Sequence, residues 1–487
     1  MSTEVRALNP ESLWNHFADL NAVPRASKKE ERVIQFMVDF GNKLGLETKV
    51  DDVGNVIIKK PATTGMEDRQ IVVLQSHLDM VHQKNADTKF DFDTEGIKMT
   101  VDGDWVKADG TTLGADNGIG VATIMAVLAS KEMKHPPIEA LFTIDEETGM
   151  TGALGLKGGH LDATIMLNLD TEDDDELTIG CAGGIDVTAE GNAPTMATPS
   201  NTKSYKVSVK GLTGGHSGMD IHKGRGNANK LMNRILLEAS KQAEVFVSSI
   251  DGGGLRNAIP RESFSIVAVN DADISKFEAF ISTFEKDLLS EYRITDPNIK
   301  VVLEKVDHPS SVLEPDFVYK LLRVIYTTQN GIYRMSPDIK DLVQTSNNLA
   351  RVLVGDGKYT IMCLTRSSVD TEKDDLKNSL SSGFDLLGAN VVTSGAYPGW
   401  EPKPDAPIIK MMADLYVEMF DEQPHVNACH AGLECGILGT NYPNMDMISF
   451  GPNIRGAHSP DEKVQISSVQ KYWKYFTQVL ERTPVKG

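Results

Sequence analysis

The sequence predicts an α/β protein: a domain built on a largely parallel sheet flanked by helices, interrupted by an inserted α+β lid domain. Three observations carry this expectation. Helix and strand signals alternate at both ends of the chain, short alternating strands dominate its middle, and metal-competent side chains recur just past apolar runs that read as strands. At 487 residues the chain exceeds one ordinary core, so two domains are the starting point.

In chain order, Pro10-Glu11-Ser12 opens a helical pattern through Leu20, and SKKEERVIQFMVDFGNKLG reads as an amphipathic helix ending at Gly45. Strand-like runs come next at VGNVIIKK and IVVLQS. From Ala115 to Ser130, apolar residues at Ile119, Ala122, Ile124, Met125, Val127 and Leu128 make a broad buried helical face, with Asp116 at its N-cap. ALFTI and ATIMLNL complete a strand–helix–strand order that argues for parallel pairing. The texture changes after CAGGIDVTAEGN. SYKVSVKGL, ESFSIVAVN and KYTIMCLTR are short alternating strands with amphipathic helices between them, including Asn227 to Ala243. This resembles a split β-α-β arrangement, and residues 187–392 are long enough for two such units side by side. After the Pro/Gly-rich GAYPGWEPKPDAP, alternation resumes with IIKMMADLYVEMF and MDMISF. Residues 1–186 and 393–487 are therefore expected to form the catalytic domain, and 187–392 the lid inserted into it.

Composition narrows the function. With 49 basic against 69 acidic residues, the net charge of -20 argues against nucleic acid or an anionic membrane as partner. No window approaches a membrane span and the N-terminus has no signal pattern, so a cytoplasmic location is expected. Cys181, Cys363, Cys429 and Cys435 form no CxxC pair and read as small buried hydrophobes.

The chemistry is carried by the residues just past the strands. IVVLQS delivers His77 and then Asp79. ALFTI delivers Asp145, Glu146 and Glu147. ATIMLNL delivers Asp170, and MDMISF opens a loop carrying His458. Ligands of open α/β sheets bind outside the carboxyl ends of the strands. Each residue alone has a plainer reading: a satisfied His, a solvated Glu-Glu turn, a helix-capping Asp. Together, two His and three carboxylates at one sheet edge suit a pair of divalent metal ions. Of Glu146 and Glu147, one can ligate while the other faces the cavity as a base, and Asp79 can accept the far ring N–H of His77.

The motifs S-H-L-D-M, L-G-A-D-N-G, D-E-E-T-G and G-A-H-S-P-D-E together resemble the M20 metallopeptidase family across essentially the whole chain. C-A-G-G-I-D, G-G-H-S-G, L-R-N-A-I-P-R, G-A-Y-P-G-W and H-A-G-L-E-C-G resemble the bacterial dipeptidases of that family. The resemblance implies two Zn²⁺ per chain, with Co²⁺ or Mn²⁺ as substitutes. His77 and Asp170 bind one ion, Glu147 and His458 the other, and Asp116 bridges them. Glu146 is the implied general base, Asp79 its supporting carboxylate, and the Asp116–Asn117 peptide is implied to be cis. In the lid, His216 is the implied oxyanion donor, while Asn257, Arg366 and Gly432 hold the far end of the substrate. Arg366 suits a terminal carboxylate because its guanidinium fork matches that group. His82, His222 and His430 match no ligand role and read as supporting residues.

The implied activity is a dipeptidase of broad specificity that includes Xaa-His substrates such as carnosine, in a homodimer. Relatives with a small lid borrow the oxyanion His from the partner subunit, whereas those with an enlarged lid supply it within one chain; both remain open for His216. Three rivals stand beside this reading, of which a non-catalytic binding or scaffolding protein is disfavoured because Glu146 and all five candidate ligands are present. An N-acyl amino acid deacylase or carboxypeptidase would keep the fold and change the substrate. A two-metal phosphohydrolase would need a basic pocket, and no Arg/Lys cluster lies near the candidate ligands.

Overall fold

The computed structural model describes residues 3–486, which divide into two compact units. Of the described residues, the first comprises 3–180, 400–428 and 433–486, and the second 181–399 and 429–432.

The first unit is built on an eight-stranded sheet in the order Glu47–Val50, Val56–Lys60, Ile138–Thr143, Val72–His77, Ile165–Asn168, Asp446–Ser449, Glu176–Cys181, His425–Cys429. The four central strands, from Ile138–Thr143 to Asp446–Ser449, pair in parallel. On one side, Glu47–Val50 and Val56–Lys60 form a tight hairpin, which forces antiparallel pairing, and Val56–Lys60 runs antiparallel to Ile138–Thr143. The sheet is thus mixed, parallel where the ligand-bearing strands lie side by side. Every residue of Val72–His77 and of Ile138–Thr143 is buried, as expected for central strands covered on both faces. The helix Ala115–Ala129 packs on Val72–His77, and Glu11–Leu20 packs on that helix. Trp14, Phe17, Ile119, Ala122 and Val469 share one core there.

The second unit is built on a large antiparallel sheet that reads as a duplicated β-α-β-β-α-β motif. Its first copy is Thr202–Lys210, Ala228–Gln242, Val245–Gly253, Ser263–Asn270, Ile274–Glu291 and Lys300–Lys305. The second copy starts with Gly183–Asn192, is interrupted by the whole first copy, and resumes with Pro315–Thr327, Val343–Gly355, Lys358–Ser367, Asp370–Asp385 and Asn390–Tyr397. Each copy pairs its strands in the same relative order, and the two join where Ile250–Gly253 runs antiparallel to Arg351–Val354. The Asn227 side chain caps Ala228–Gln242 by accepting from the N–H groups of Asn229 and Lys230.

The boundaries read from the sequence, 186/187 and 392/393, fall inside Gly183–Asn192 and Asn390–Tyr397. Both strands belong to the second unit, whose divisions come at 180/181 and 399/400. The reason is pairing: Gly183–Asn192 is hydrogen-bonded along its length to Lys358–Ser367 on one side and to Asn390–Tyr397 on the other. Residues 429–432 join this unit because Ala182 N–H donates to the carbonyls of Cys429 and Ala431, and Ser346 Oγ bonds His430 Nε2 at 2.7 Å.

Candidate metal centre

His77 is the last residue of its strand, Asp145 follows Thr143 by two residues, and Asp170 follows Asn168 by two. The three parallel strands therefore end at one edge and deliver their polar residues together. The donor atoms of His77, Asp116 and Asp170 lie within 4.8 Å of one another, as do those of Asp116, Glu147 and His458. Asp116 belongs to both groups. Its Oδ1 is 3.1 Å from His77 Nε2, and its Oδ2 is 3.1 Å from His458 Nε2. His77 Nε2 is also 3.6 Å from Asp170, and His458 Nε2 is 2.9 Å from Glu147. Glu146 forms a further group with His77 and Glu147.

The sequence expectation that Asp116 is a simple helix N-cap needs correcting. The N-cap is Gly114, and Asp116 has an extended backbone (φ -79, ψ 113), with a cis peptide to Asn117. Asn117 donates through Nδ2 to the Leu169 carbonyl at 2.7 Å and to the Asp170 carboxylate. The departure from helix turns the Asp116 side chain out between the two imidazoles instead of back onto its own amides.

Asp79 holds more than His77. The ring Nδ1 of His77 is 3.1 Å from the Asp79 carbonyl and 3.4 Å from its carboxylate. The carboxylate accepts from Ser27 Oγ at 2.8 Å, from Glu146 N–H at 3.0 Å and from Glu147 N–H at 3.2 Å. Burial alone would raise its pKa, but these donors and His77 outweigh burial and hold it at about 2. Asp79 is thus tied to the backbone of the two adjacent glutamates.

Burial pushes the Glu146 carboxyl well above the ordinary range; His77 opposes this, while Asp170, Glu434 and Glu147 add to it. Burial likewise lifts Asp170 to about 6 against the pull of His77. Hydrogen bonds to Asp116 and Glu147 lift His458 to about 11. These opposed shifts describe crowded acids competing for two imidazole protons. Glu147 Oε1 is buried with no hydrogen-bond partner among the described residues. An orphaned carboxylate oxygen, a carboxylate shared by two trios and imidazole nitrogens in both is a donor set that fits two divalent cations. A further trio, Glu30, Asp79 and Asp145, has its carboxylates occupied by protein donors: Glu30 by the amides of Lys28 and Asp145, Asp145 by Thr151 and Thr148.

The remaining candidates lie in the second unit. His216 Nδ1 accepts from the N–H groups of Gly218 at 3.2 Å and Met219 at 3.0 Å, so the ring proton must sit on Nε2. Burial, then the Arg366 charge, lowers the His216 pKa, which keeps the ring neutral. Asn257 is exposed; its carbonyl accepts from Ser217 N–H at 2.7 Å, stitching its loop to that of His216. Arg366 is 5% exposed, donates to Tyr397 Oη at 2.8 Å, and leaves Nε buried and unpartnered among the described residues. A Cβ on Gly218 would collide with the His430 carbonyl and lie 3.2 Å from both Arg366 Nε and His216 Cε1. The glycine therefore makes room where these residues meet. Gly432 ends the 429–432 segment that carries His430. Of the other histidines, His82 stacks on Phe92, and burial and Arg366 lower His430 to about 3.

Sequence reasoning passed over Tyr397, Glu434, Arg25 and Glu462. Glu434 is buried under the strand ends, where its carboxylate accepts from Gln75 Nε2 at 2.7 Å and Thr143 Oγ1 at 2.6 Å. Burial lifts it to about 7. Its only signal in the sequence was its place in HAGLECG.

Residues 73–482 match the profile of peptidase family M20/M25/M40. The chain is 42% identical over 484 residues to the cytosol non-specific dipeptidase of Escherichia coli K12, covering 99% of this chain and 100% of that protein. The crystal structure of aminoacylhistidine dipeptidase from Vibrio alginolyticus is similar over 100% of this chain and 99% of that one, with 43% identity and a TM-score of 0.95. Aminopeptidase PepT from Bacillus cereus shares the fold at 16% identity, covering 97% and 98% of the two chains with a TM-score of 0.56.

Proposed function

Because the chain belongs to peptidase family M20/M25/M40, we propose that it is a metal-dependent dipeptidase of broad specificity, with Xaa-His dipeptides such as carnosine among its substrates. The observation that carries this is the Asp116 carboxylate, one oxygen facing His77 and the other His458, with Glu146 beside them. His77 and Asp170 would hold one ion, Glu147 and His458 the other, and Asp116 both; Zn²⁺ is the proposed metal. When bound, the ions polarise the scissile carbonyl and make an attacking water more acidic.

The chain's own residues do the rest. Glu146 takes the proton of the attacking water and returns it to the leaving amine, a task suited to a carboxylate whose affinity for protons is raised by burial. Asp79 fixes the base by holding the amides of Glu146 and Glu147. His216 is proposed as the oxyanion donor, supported by a neutral ring whose Nδ1 is occupied and whose Nε2 bears the proton. Arg366 is proposed to bind the substrate's terminal carboxylate, supported by a buried guanidinium that donates to a phenol, the Tyr397 hydroxyl, rather than to a carboxylate. Asn257 and Gly432 are proposed to contact the same end of the substrate. A cytoplasmic homodimer is proposed as the working form; among the described residues no helix is long and apolar enough to cross a membrane.

The test compares turnover of carnosine with turnover of an N-acetylated amino acid by the metal-loaded protein. Dipeptide cleavage with little deacylation is expected. Cleavage of the acylated amino acid alone would replace this reading with the deacylase one.

A further inference from the structure

Two fully buried, oppositely charged side chains outside the ligand set grip a single peptide unit at the start of Ala115–Ala129. Glu462 is 2% exposed. Its Oε2 accepts from the N–H groups of Leu113 at 2.7 Å and Gly114 at 2.9 Å, and its Oε1 from those of Ala115 at 2.8 Å and Asp116 at 3.2 Å. Four amides converging on two oxygens is a set only an acceptor on both atoms can satisfy, and the helix N-terminus favours a negative charge there. Arg25 is 0% exposed and works from the other side. Its Nη2 donates to the Gly114 carbonyl at 2.6 Å and to Asn21 Oδ1 at 3.1 Å, and its Nη1 donates to the carbonyls of Leu78 and Asp79, both at 3.1 Å.

Gly114 is thus held at its N–H by Glu462 and at its carbonyl by Arg25. The L-G-A-D-N-G motif makes the space. A Cβ on Gly114, whose φ is 69°, would collide with Arg25 Nη2, and one on Gly118 would lie 2.7 Å from the same atom. The two grips reach the segments that follow His77 and His458. Arg25 ties the residues that directly follow His77 to Gly114, and Glu462, four residues past His458, ties that loop to the amide of Asp116 itself. Three segments remote in sequence are therefore cross-linked through buried charges at the residue whose carboxylate faces both imidazoles.

We propose that Arg25 and Glu462 are positioning residues that preset the Asp116 carboxylate for two cations before either binds, with Glu462 acting chiefly on the cation held by Asp116, Glu147 and His458. This rests on the reading of Asp116 as the shared ligand. Glu462 pins the backbone of Asp116 and anchors the His458 loop, two of that cation's three ligands. The cation at His77 and Asp170 shares Asp116 alone with this grip.

The experiment titrates metal-free protein with Co²⁺, reading both dissociation constants from the ligand-field absorption, and checks stoichiometry by elemental analysis. Glu462→Gln is isosteric but turns an N–H₂ toward two of the four amides. It is expected to weaken the Co²⁺ held by Asp116, Glu147 and His458 by about 10–100-fold, the usual scale for groups that orient ligands, with a smaller effect on the Co²⁺ at His77 and Asp170. Circular dichroism of the metal-free variant should match wild type. Glu462→Asp, which keeps the charge on a shorter arm, should recover part of the loss. Arg25→Lys, which keeps the charge without the fork, should weaken both cations. If Glu462→Gln does not fold, the same selective weakening is required of Glu462→Asp. Wild-type constants in the folded Glu462 variants, or an equal loss at both cations, would overturn the proposal. A wild-type chain that binds fewer than two Co²⁺ would instead overturn the shared-ligand reading on which it depends.

Discussion

Replacing Asp79 by Asn separates two roles that its geometry combines. The carboxylate is 0% exposed and is approached by Ser27 Oγ, the amides of Glu146 and Glu147, and His77 Nδ1. The two amides use different oxygens, Oδ1 for Glu146 and Oδ2 for Glu147. Asn has one oxygen, so one amide must face an N–H₂ donor and go unpaired. The better orientation puts Nδ2 on the Ser27 side, where the hydroxyl can reverse, and leaves the Glu147 amide unmet. An unsatisfied buried donor costs about 1–3 kcal/mol. If that cost falls on the loop that aims Glu146, kcat drops by about 5- to 150-fold, at 1.36 kcal/mol per decade. The metal should stay, because the His77 ring keeps its 3.1 Å contact to the Asp79 carbonyl. The assay is steady-state cleavage of carnosine at saturating metal, with metal content measured in parallel. A kcat within twofold of wild type would refute the loop-holding argument. A loss of metal with kcat restored by excess Zn²⁺ would show that Asp79 acts through His77 instead.

Glu146→Gln should abolish carnosine turnover while two metals remain bound by elemental analysis; near-normal activity would remove Glu146 as the base. His216→Ala should lower kcat by about 10²–10³-fold with little change in metal content, the usual loss for an oxyanion donor; an unchanged kcat would make the ring structural. Metal affinity should rise with pH across neutrality. Hydrogen bonds to Asp116 and Glu147 raise His458 to about 11, so metal-free protein carries a proton there that an incoming cation must displace. By the same sign, His458 stabilises the metal-free fold fully below the ordinary His pKa and loses that contribution as pH climbs through about 11. A competition titration with a chelator, corrected for the chelator's own protonation, checks this. An affinity flat in pH would contradict it.

The part of the site legible in the sequence is the part governed by the physics of strands. Apolar runs such as IVVLQS and ALFTI had to be central strands, and a polar residue just past each could only lie at the sheet edge. That reasoning collected His77, Glu146, Glu147 and Asp170 without coordinates. It failed where backbone conformation decides. Asp116 looked like a cap because Asp before an apolar helical stretch usually is one, and nothing local reveals its extended ψ. Arg25 and Glu462 were invisible for a related reason. Both lie in stretches of polar composition, and their burial depends on three segments meeting, which no window of sequence contains. The duplication in the second unit was legible from its length and its alternating strands, but not that one copy interrupts the other, since the copies share strand order and no repeated motif.

That duplication bears on which subunit His216 serves. His216 follows the first strand of one copy, whereas Arg366 lies near the end of a strand in the other. They nevertheless converge: both lie 3.2 Å from where a Gly218 Cβ would be, and the Arg366 charge depresses the His216 pKa. Two residues fixed side by side in one unit are therefore expected to serve the same bound substrate. In a homodimer, subunits carrying His216→Ala and subunits carrying Glu146→Gln should recover activity on mixing and re-association only if the pair serves the partner's centre. A mixture of His216→Ala with Arg366→Ala should recover none in either arrangement, because every second unit still lacks one member of the pair. Recovery in that last mixture, with dimer exchange confirmed by a size or label shift, would show that His216 and Arg366 act on different substrates and would break the link between them.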